Sequence, residues 1–440
     1  MARTSRFSNV TGATSATLYL LVTLLTLTLT LTPVSGGKRG KVLLVSMDGF
    51  RHDYLTKANT PNFDAMIRAG VTMPYLNNTF VTNTFPNHYT LATGLYTESH
   101  GIVANHMYDP DFDAFFNPGN SEPRWWDGGE PIWITAVKAG LKAGTFFWPG
   151  SEVEIQGLRP TEWRPYDESV PFLLRVNTTV DWLESGFDLG VLYMHEPDKS
   201  GHRVGPDSPN LVPVIERMDN VLGHIIEQLE LRGIKDEVNL IVTSDHGMTN
   251  VDLDKKLIDV TDYANSSLLL SVVDQGSTAE IRAQVNKSRE LQAALSGVEH
   301  MQVWLKEDIP ERFHLKHNRR VMDVFALADE GWSITDNATR RRARPYVGDH
   351  GYDNYLPNMK PFFIAMGPAF KSGKTVEPIS NLDVYSLVCH LLDITPAPNN
   401  GSLDRASPLL QSPGAAASHT LTTLLLSSAL ATFWATVYDL

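Results

Sequence analysis

The sequence predicts an α/β fold in which a mostly parallel sheet is covered by helices on both faces. Three apolar runs rich in Val, Leu and Ile each close into polar residues, which is typical of buried strands. These runs are KVLLVSM, LGVLYM and NLIVT. Helical patterns alternate with them, as in parallel sheets. An acidic residue follows each run, and the carboxyl ends of parallel strands meet at one edge where ligands bind. The pattern therefore predicts ligand side chains gathered at that edge.

The other elements follow in chain order. After the first run, TPNFDAMIRAGV predicts a helix with Thr60 as cap, Pro61 in the first turn and Gly70 at the end. A longer helix, VPVIERMDNVLGHIIEQLELRG, leads into the third run. The apolar run PFFIAMGPAF is followed by the helix NLDVYSLVCHLLDI, in which Cys389 is interpreted as a buried residue. Residues from about 250 to 345 are less regular and predict a smaller inserted lobe that returns the chain to His350.

The ends of the chain resemble addressing signals rather than parts of a fold. Residues 1–36 have a basic start, an apolar middle and small residues at the end, as in a secretory signal peptide; an uncleaved membrane anchor is the alternative. Residues 37–402 are expected to form one catalytic domain. Residues 403–440 combine small residues, a short spacer and an apolar tail, which favours a lipid anchor over a spanning helix. We therefore expect a protein on the extracellular face of the plasma membrane.

Composition excludes some partners and favours others. The net charge of -13 argues against a nucleic-acid binding surface, although metal ions can still attract a small phosphate ligand. A single cysteine excludes a disulfide within the chain. Sequons predict N-glycans if the chain is secreted. They lie at Asn77, Asn177, Asn265, Asn286, Asn337 and Asn400.

Carboxylates and imidazoles cluster in the motifs that follow the strands, and both are zinc ligands. The candidates are Asp48, Asp198, His202, Asp245, His246 and His350. Two metal ions can hold the attacking and leaving oxygens of a displacement at phosphorus. A seventh ligand would double as the nucleophile, and a threonine hydroxyl bound to a metal can serve. The segment FVTNTFPNHYTLATGLYTESHG offers Thr82, Thr84, Thr90 and Thr93, and spacing alone does not choose among them.

Four motifs in order, TNTFPNHYTLATGLYTESHGIVANHMYDP, EPDKSGH, TSDHGM and GDHGYDN, resemble the ectonucleotide pyrophosphatase/phosphodiesterase family of the alkaline phosphatase superfamily. The resemblance runs from about Lys41 to Pro398 and implies an alkaline-phosphatase-like fold. It implies that Thr84 is the nucleophile and takes a covalent phosphoryl group. It also implies two zinc ions, one held by Asp198, His202 and His350 and the other by Asp48, Thr84, Asp245 and His246. Asn105 matches the position that donates to a non-bridging phosphate oxygen.

The resemblance is strongest to the small, membrane-bound members that act on nucleotides. It implies hydrolysis of nucleoside triphosphates or dinucleoside polyphosphates, with Phe85 and Tyr166 stacking on the base. The alternative for both rings is a place in the core. Asn83 stands where many nucleotide-type members carry lysine, which puts a preference for triphosphates in doubt.

Two other functions stay open beside nucleotide hydrolysis. One is hydrolysis of choline phosphodiesters, and the other is a non-catalytic surface binding protein, which the complete set of ligand positions opposes. A sulfatase is excluded, because it needs a modifiable Cys or Ser in a different motif and Cys389 lies elsewhere. The remaining histidines are interpreted as structural or solvated, with supporting contacts to the ligands as the alternative. An arginine run is interpreted as a solvated loop, with steering of phosphate as the alternative; it comprises Arg340, Arg341, Arg342 and Arg344.

Overall fold

Strands and helices alternate along most of the chain in the computed structural model, which describes residues 40–337 and 346–412. The strands are β1 Lys41–Met47, β2 Val71–Thr72, β3 Met107–Asp109, β4 Ala114–Phe116, β5 Ala143–Phe146, β6 Glu162–Arg164, β7 Leu189–Met194, β8 Val238–Thr243, β9 Thr249–Asn250, β10 Leu257–Asp259, β11 Leu269–Asp274, β12 Thr278–Ala283, β13 Met301–Leu305, β14 Val324–Ala328, β15 Ser333–Thr335, β16 Gly348–Asp349, β17 Phe363–Met366 and β18 Lys374–Thr375. The α-helices are α1 Pro61–Ala69, α2 Thr84–Thr93, α3 Thr97–His100, α4 Ile132–Lys138, α5 Phe172–Glu184, α6 Asp198–Val204, α7 Val212–Leu231, α8 Ser288–Leu295, α9 Leu382–Leu391 and α10 Leu403–Ala406. Short 3-10 helices span His52–Thr56, Pro123–Trp125, Pro209–Leu211, Lys235–Glu237, Val260–Asp262, Lys306–Asp308, Glu311–Phe313, Pro357–Met359 and Ser407–Leu409.

The central sheet has eight strands in the order β18-β2-β17-β8-β1-β7-β5-β6. All pairs among β8, β1, β7, β5 and β6 are parallel. Only β17 is reversed, since it pairs antiparallel with both β8 and β2. The expectation of a mostly parallel sheet is confirmed, and the run PFFIAMGPAF supplies its one reversed strand.

Helices cover both faces of this sheet, as the sequence predicts. Alternate side chains of β1 enter opposite cores, because successive strand residues point to opposite faces. Val42 and Leu44 pack with residues of α2, α4 and α9. Leu43 and Val45 pack with residues of α1, α5 and α7. The sheet therefore lies between two apolar layers, and its edges are the places left for polar chemistry.

A second, antiparallel sheet forms the smaller lobe expected between residues 250 and 345. Its order is β11-β12-β14-β13. Helix α8 packs on it through Leu291 and Leu295, which are fully buried beside Ile281 and Val324. Short strands then return the chain to the main sheet.

The start of α1 differs from the expectation in one respect. Thr60 lies at the N-cap position, but its side chain does not cap the helix. The carboxylate of Asp219, on α7, accepts hydrogen bonds from the backbone N–H groups of Asn62 and Phe63, each 2.9 Å long. A side-chain acceptor from another helix thus satisfies the N–H groups that a local cap would have taken.

The chain continues to pack after residue 402, where Ala406 and Leu409 are fully buried. Within residues 40–337 and 346–412, we find no helix with the length and apolarity needed to cross a bilayer. The expected signal peptide, the apolar tail from residue 413 and the arginine run at 340–344 lie outside the described residues.

Candidate active site

Three adjacent parallel strands deliver the acidic residues to one edge of the sheet. Strand β1 lies between β8 and β7. Asp48 directly follows β1, Asp245 follows β8 by two residues, and Asp198 begins α6 after β7. Because parallel strands share their carboxyl ends, these carboxylates converge although they are far apart in sequence.

The last predicted ligand, His350, arrives on a different element. It follows β16, which pairs with β9, and β9 comes shortly after His246. The His350 Nδ1 donates to the Thr82 carbonyl oxygen over 3.0 Å. This short strand pair brings the late loop to the edge where the three carboxylates meet.

The predicted ligands form one continuous cluster. His202 Nε2 lies 3.4 Å from Asp198 Oδ2, and His350 Nε2 lies 3.6 Å from Asp198 Oδ1. His246 Nε2 lies 3.4 Å from Asp48 Oδ1 and 3.1 Å from Asp245 Oδ2. The ligand atoms of Asp198, His202 and His350 lie within 4.8 Å of one another, as do those of Asp48, Asp198 and His246. The structure therefore brings together all six ligand candidates.

The three histidines are oriented alike. Each donates its Nδ1–H to a backbone carbonyl oxygen: His202 to Gly348 at 2.7 Å, His246 to Gly247 at 2.8 Å, and His350 to Thr82. A carbonyl only accepts, so the proton is fixed on Nδ1. Each Nε2 lone pair is thereby left toward the carboxylates, which is how metal-binding histidines are held.

Three carboxylate oxygens in the cluster have no hydrogen-bond partner among the described residues: Asp48 Oδ1, Asp198 Oδ1 and Asp245 Oδ2. Buried polar atoms are otherwise almost always paired, because an unpaired one costs free energy. A carboxylate oxygen and an imidazole lone pair both donate electron pairs, so a cation between them stabilises both. The residues present therefore fit metal ions, with oxygen and nitrogen donors suited to zinc.

The pKa values of the cluster reflect how closely its charged groups are packed. Burial, with the charges of Asp245 and Asp198, raises the pKa of Asp48 well above its usual value. Burial opposes ionisation of Asp198 as well, but His202 beside it outweighs burial and lowers the pKa of that carboxyl to about 2. His202 is likewise buried, yet Asp198 raises its pKa to about 9, so a metal ion bound at Nε2 would displace a proton from that nitrogen. Burial and the charge of His246 lower the pKa of His350 to about 4.

The four threonines that the sequence leaves open have different surroundings. The hydroxyls of Thr82, Thr90 and Thr93 are buried and bonded to Tyr352 O, His100 Nε2 and Tyr89 O. Thr84 is only partly buried, and its Oγ lies 3.3 Å from His246 Nε2. It begins α2, where backbone N–H groups favour an anion. Among the four, Thr84 is the one that borders the cluster.

Asn105 is held beside Thr84 by a backbone contact. Its Oδ1 accepts a hydrogen bond of 2.9 Å from the N–H of Phe85. The acceptor of the amide is thus occupied, which leaves the Nδ2 donor for the cavity that Asn105 and Thr84 both line. The local geometry suits a donor to a phosphate oxygen.

Two further residues support the cluster: His88 is one of the histidines for which the sequence left supporting contacts as the alternative, and Tyr193 was not singled out. His88 accepts or donates at Ser46 Oγ (2.8 Å), donates to the Thr84 carbonyl oxygen and lies 3.2 Å from Asp245 Oδ2. Its position one helical turn after Thr84 was the available signal. Tyr193 donates to Asp48 Oδ2 over 2.5 Å. As the fifth residue of a strand, it gave no signal beyond its aromatic ring.

The cluster borders a cavity of about 470 Å³ that continues into an aromatic cavity of about 540 Å³. Both are lined by Phe85, Tyr166 and Tyr193. Tyr166 is 50% exposed, so it is not part of the core. Phe85 is partly buried, with its ring centre 6.0 Å from that of Trp126. Because both rings line both cavities, each offers a face on which a flat ligand can stack.

Comparison with known proteins finds one family. Residues 42–353 match the family described as type I phosphodiesterase / nucleotide pyrophosphatase. Ectonucleotide pyrophosphatase/phosphodiesterase family member 5 of Homo sapiens is 43% identical over 378 residues, which cover 84% of this chain and 78% of that protein. The bis(5'-adenosyl)-triphosphatase of Xenopus laevis is 42% identical over 377 residues, with 84% and 81% covered.

Solved structures agree with these sequence matches. The human member 5 superimposes with a TM-score of 0.82 at 43% identity, covering 84% of this chain and all of that chain. An inactive variant of the murine member 5 in complex with AMP gives the same TM-score, identity and coverage.

Proposed function

Because the chain belongs to the type I phosphodiesterase / nucleotide pyrophosphatase family, we propose that it hydrolyses phosphodiester or pyrophosphate bonds in nucleotides through Thr84. The observation that carries the proposal is a shared cavity. Thr84 and Asn105 line the same space as Asp48, Asp198 and His350, and this space continues past Phe85 and Tyr166. A phosphate at the cluster would then place its nucleoside in the space that the two rings line.

We assign two zinc ions to the cluster. One would be held by Asp198, His202 and His350, and the other by Asp48, Thr84, Asp245 and His246. Bound ions would lower the pKa of a coordinated hydroxyl and stabilise the attacking and leaving oxygens at phosphorus. The orphaned carboxylate oxygens and the fixed Nε2 lone pairs support this assignment.

The residues of the chain then divide the reaction into two displacements. The Thr84 hydroxyl oxygen attacks phosphorus as its proton passes to solvent, and the bond to the leaving oxygen breaks with its electron pair. The Asn105 amide donates to a non-bridging oxygen, where negative charge grows in the transition state. Water then attacks the same phosphorus, which releases the nucleoside monophosphate and restores the Thr84 hydroxyl. His88 keeps the backbone at Thr84 in place throughout.

Nucleotides are the favoured substrates because the second cavity is aromatic. Base stacking on a side-chain ring is worth about 1–3 kcal/mol. The relative named bis(5'-adenosyl)-triphosphatase supports dinucleoside polyphosphates, and the AMP complex of the murine member 5 supports an adenine nucleotide. Nucleoside triphosphates are the other nucleotide candidates. Choline phosphodiesters are the alternative. The nitrophenyl esters of AMP and of phosphocholine separate the two, and faster cleavage of the choline ester would overturn the nucleotide assignment.

We place the enzyme on the extracellular face of the plasma membrane, held by a C-terminal lipid anchor. Relatives with "ecto" in their names and the sequons support a secreted chain. Four sequon asparagines are exposed, namely Asn265, Asn286, Asn337 and Asn400. Treating intact expressing cells with a phosphatidylinositol-specific phospholipase C should release the activity. Activity that stays on the cells would favour a spanning helix.

Substitution of Thr84 by alanine tests the nucleophile. Thr84→Ala should abolish turnover, since no other hydroxyl of the four threonines borders the cluster, while zinc content falls little. Thr93→Ala is the matched control, because it removes a buried hydroxyl from the same helix. Full activity of the Thr84 variant, measured beside zinc content by mass spectrometry of the metal, would exclude this role.

A further inference from the structure

We propose that Lys199 and Arg203 bind the phosphates of the leaving half of the substrate, a nucleoside diphosphate, in a cavity beside α6. This inference rests on the proposed function, since it presumes attack by Thr84 at the phosphate next to the nucleoside. The cavity has a volume of about 720 Å³, within the range of small-molecule sites. None of its residues has a role in the reaction described above.

The cavity beside α6 joins the catalytic cavity through residues of its own. The two are both lined by Glu168, His195, Lys199 and Arg203. The aromatic cavity meets the catalytic cavity through a separate set, which is Phe85, Pro118, Tyr166 and Tyr193. The space around the reacting phosphate therefore continues in two different places. A substrate with two nucleoside halves needs two such continuations.

The direction of displacement indicates which half of the substrate each cavity holds. In a two-metal displacement, one ligand group serves the attacking oxygen and the other the leaving oxygen. Thr84 Oγ lies by His246, so the leaving oxygen belongs with Asp198 and His202. Helix α6 carries both of these ligands. The leaving half therefore departs along α6, toward the cavity of 720 Å³.

The same helix presents two cations to that path. Lys199 and Arg203 each follow a ligand directly and lie four residues apart, so they share a face of the helix. Arg203 donates to Ser200 Oγ, and no carboxylate of the described residues lies within ion-pair distance of it. A guanidinium and an ammonium at this place suit a phosphate chain.

Lys199 is paired with Glu168 across the cavity, and this pair does not prevent phosphate binding. The two side chains are 43% and 49% exposed. Exposed pairs of this kind are weak and exchange partners readily. Asn83, the residue before Thr84, supplies no charge, whereas α6 brings two cations to the cavity that Thr84 lines.

Kinetics with two substrates test the proposal. Diadenosine triphosphate has ADP as its leaving group, and the nitrophenyl ester of AMP has the same nucleoside with no leaving phosphate. We define the ratio as kcat/KM for diadenosine triphosphate divided by kcat/KM for the nitrophenyl ester. Lys199→Ala and Arg203→Ala should each lower this ratio about tenfold, as expected for one charged contact. Glu168→Gln should raise the ratio, because it frees Lys199. Lys235→Ala is the matched control, since Lys235 is an exposed lysine paired with Glu230.

The sign of the Glu168→Gln effect distinguishes phosphate binding by Lys199 from a purely structural role of the Lys199–Glu168 pair. A purely structural pair would make both partners' substitutions change the ratio in the same direction, which would overturn the proposal. An unchanged ratio in the Lys199 and Arg203 variants would overturn it too, while leaving the proposed function intact.

A binding measurement decides the proposal without turnover. In the Thr84→Ala background, ADP should bind more tightly than AMP, and Lys199→Ala should remove most of that difference. Equal affinities for ADP and AMP before the lysine is changed would overturn the subsite. If the unaltered enzyme cleaves neither diadenosine triphosphate nor the nitrophenyl ester of AMP, the proposed function fails. The ADP and AMP affinities still decide whether Lys199 and Arg203 bind phosphates.

Discussion

At the scale of single residues, the site depends on groups that hold the reacting side chains rather than on the reacting groups alone. Three backbone carbonyls fix the tautomers of His202, His246 and His350. Tyr193 holds the side chain of Asp48 in place through the hydrogen bond that its hydroxyl donates. Such contacts are tested by substitutions that remove one hydrogen bond and leave the ring or carbon frame in place.

We predict that Tyr193→Phe lowers zinc affinity about 10–100-fold, the usual effect of losing a group that orients a metal ligand. The phenyl ring keeps the packing of Tyr193, so only the bond of 2.5 Å to Asp48 is lost. Competition with a chelator measures the affinity. Tyr54→Phe is the control, because the Tyr54 hydroxyl is buried without a partner among the described residues. An affinity unchanged by Tyr193→Phe would contradict the role of that hydroxyl.

Asn105 provides a second residue-scale prediction. In Asn105→Asp the side chain still accepts from Phe85 N–H, but the donor toward the cavity is lost. We expect kcat to fall by about 10²–10³, as when one such donor is removed from an enzyme site. The midpoint of thermal unfolding should stay close to that of the unaltered protein. A variant with near-normal kcat would mean that Asn105 only supports the loop.

The choice of Thr84 shows what the sequence could not supply at this scale. Spacing places Thr82, Thr84, Thr90 and Thr93 in one segment and gives no reason to prefer any of them. What separates them is the partner of each hydroxyl. Thr82 and Thr84 contact Tyr352 and His246, which are distant in sequence and come close only in the folded chain. The family resemblance singles out Thr84, because the resemblance compares a whole site rather than a local pattern of residues.

At the scale of elements, the sequence was most informative where a local pattern decides the structure. The apolar runs before Asp48 and Asp245 are strands, and their parallel pairing puts both acids at one edge. Two long-range contacts left no signal in the sequence. The cap of α1 comes from Asp219 on another helix, and His350 is brought in by a strand of two residues that is too short to leave a pattern.

The smaller lobe contains a buried acid whose effect on stability depends on pH. Glu280, on β12, is 1% exposed, and its Oε1 has no partner among the described residues. Burial raises its pKa to about 8. Since the folded pKa exceeds the usual carboxyl value, stability from this group is complete at low pH and is lost as the pH rises through about 8.

Glu280→Gln should therefore stabilise the protein at high pH relative to the unaltered chain. Glutamine keeps an oxygen for the Met322 N–H and carries no charge. Between about pH 5 and about pH 9, the difference in the free energy of unfolding should change by ~2–4 kcal/mol in favour of the variant. Denaturant unfolding measures it, with Glu290→Gln on the exposed face of α8 as control. A difference that does not change with pH would show that Glu280 is ionised throughout.

At the scale of the whole molecule, the fold separates stability from chemistry. Two apolar layers enclose the sheet, and the polar cluster lies where three parallel strands end. The smaller lobe follows the cluster in sequence and returns His350 to it. The fold class followed from patterns in the sequence because each pattern is local. The cavities did not, because their walls come from segments as distant as Phe85, Tyr166 and Lys199.

The claim that joins these scales is that hydrolysis proceeds in two displacements through Thr84. The stereochemical course at phosphorus tests it most directly, using one diastereomer of the nitrophenyl ester of adenosine 5'-phosphorothioate in isotopically labelled water. Each in-line displacement inverts the configuration, so we predict that two of them give net retention. Net inversion would contradict the claim, because water would then attack the substrate directly and Thr84 would form no bond to phosphorus.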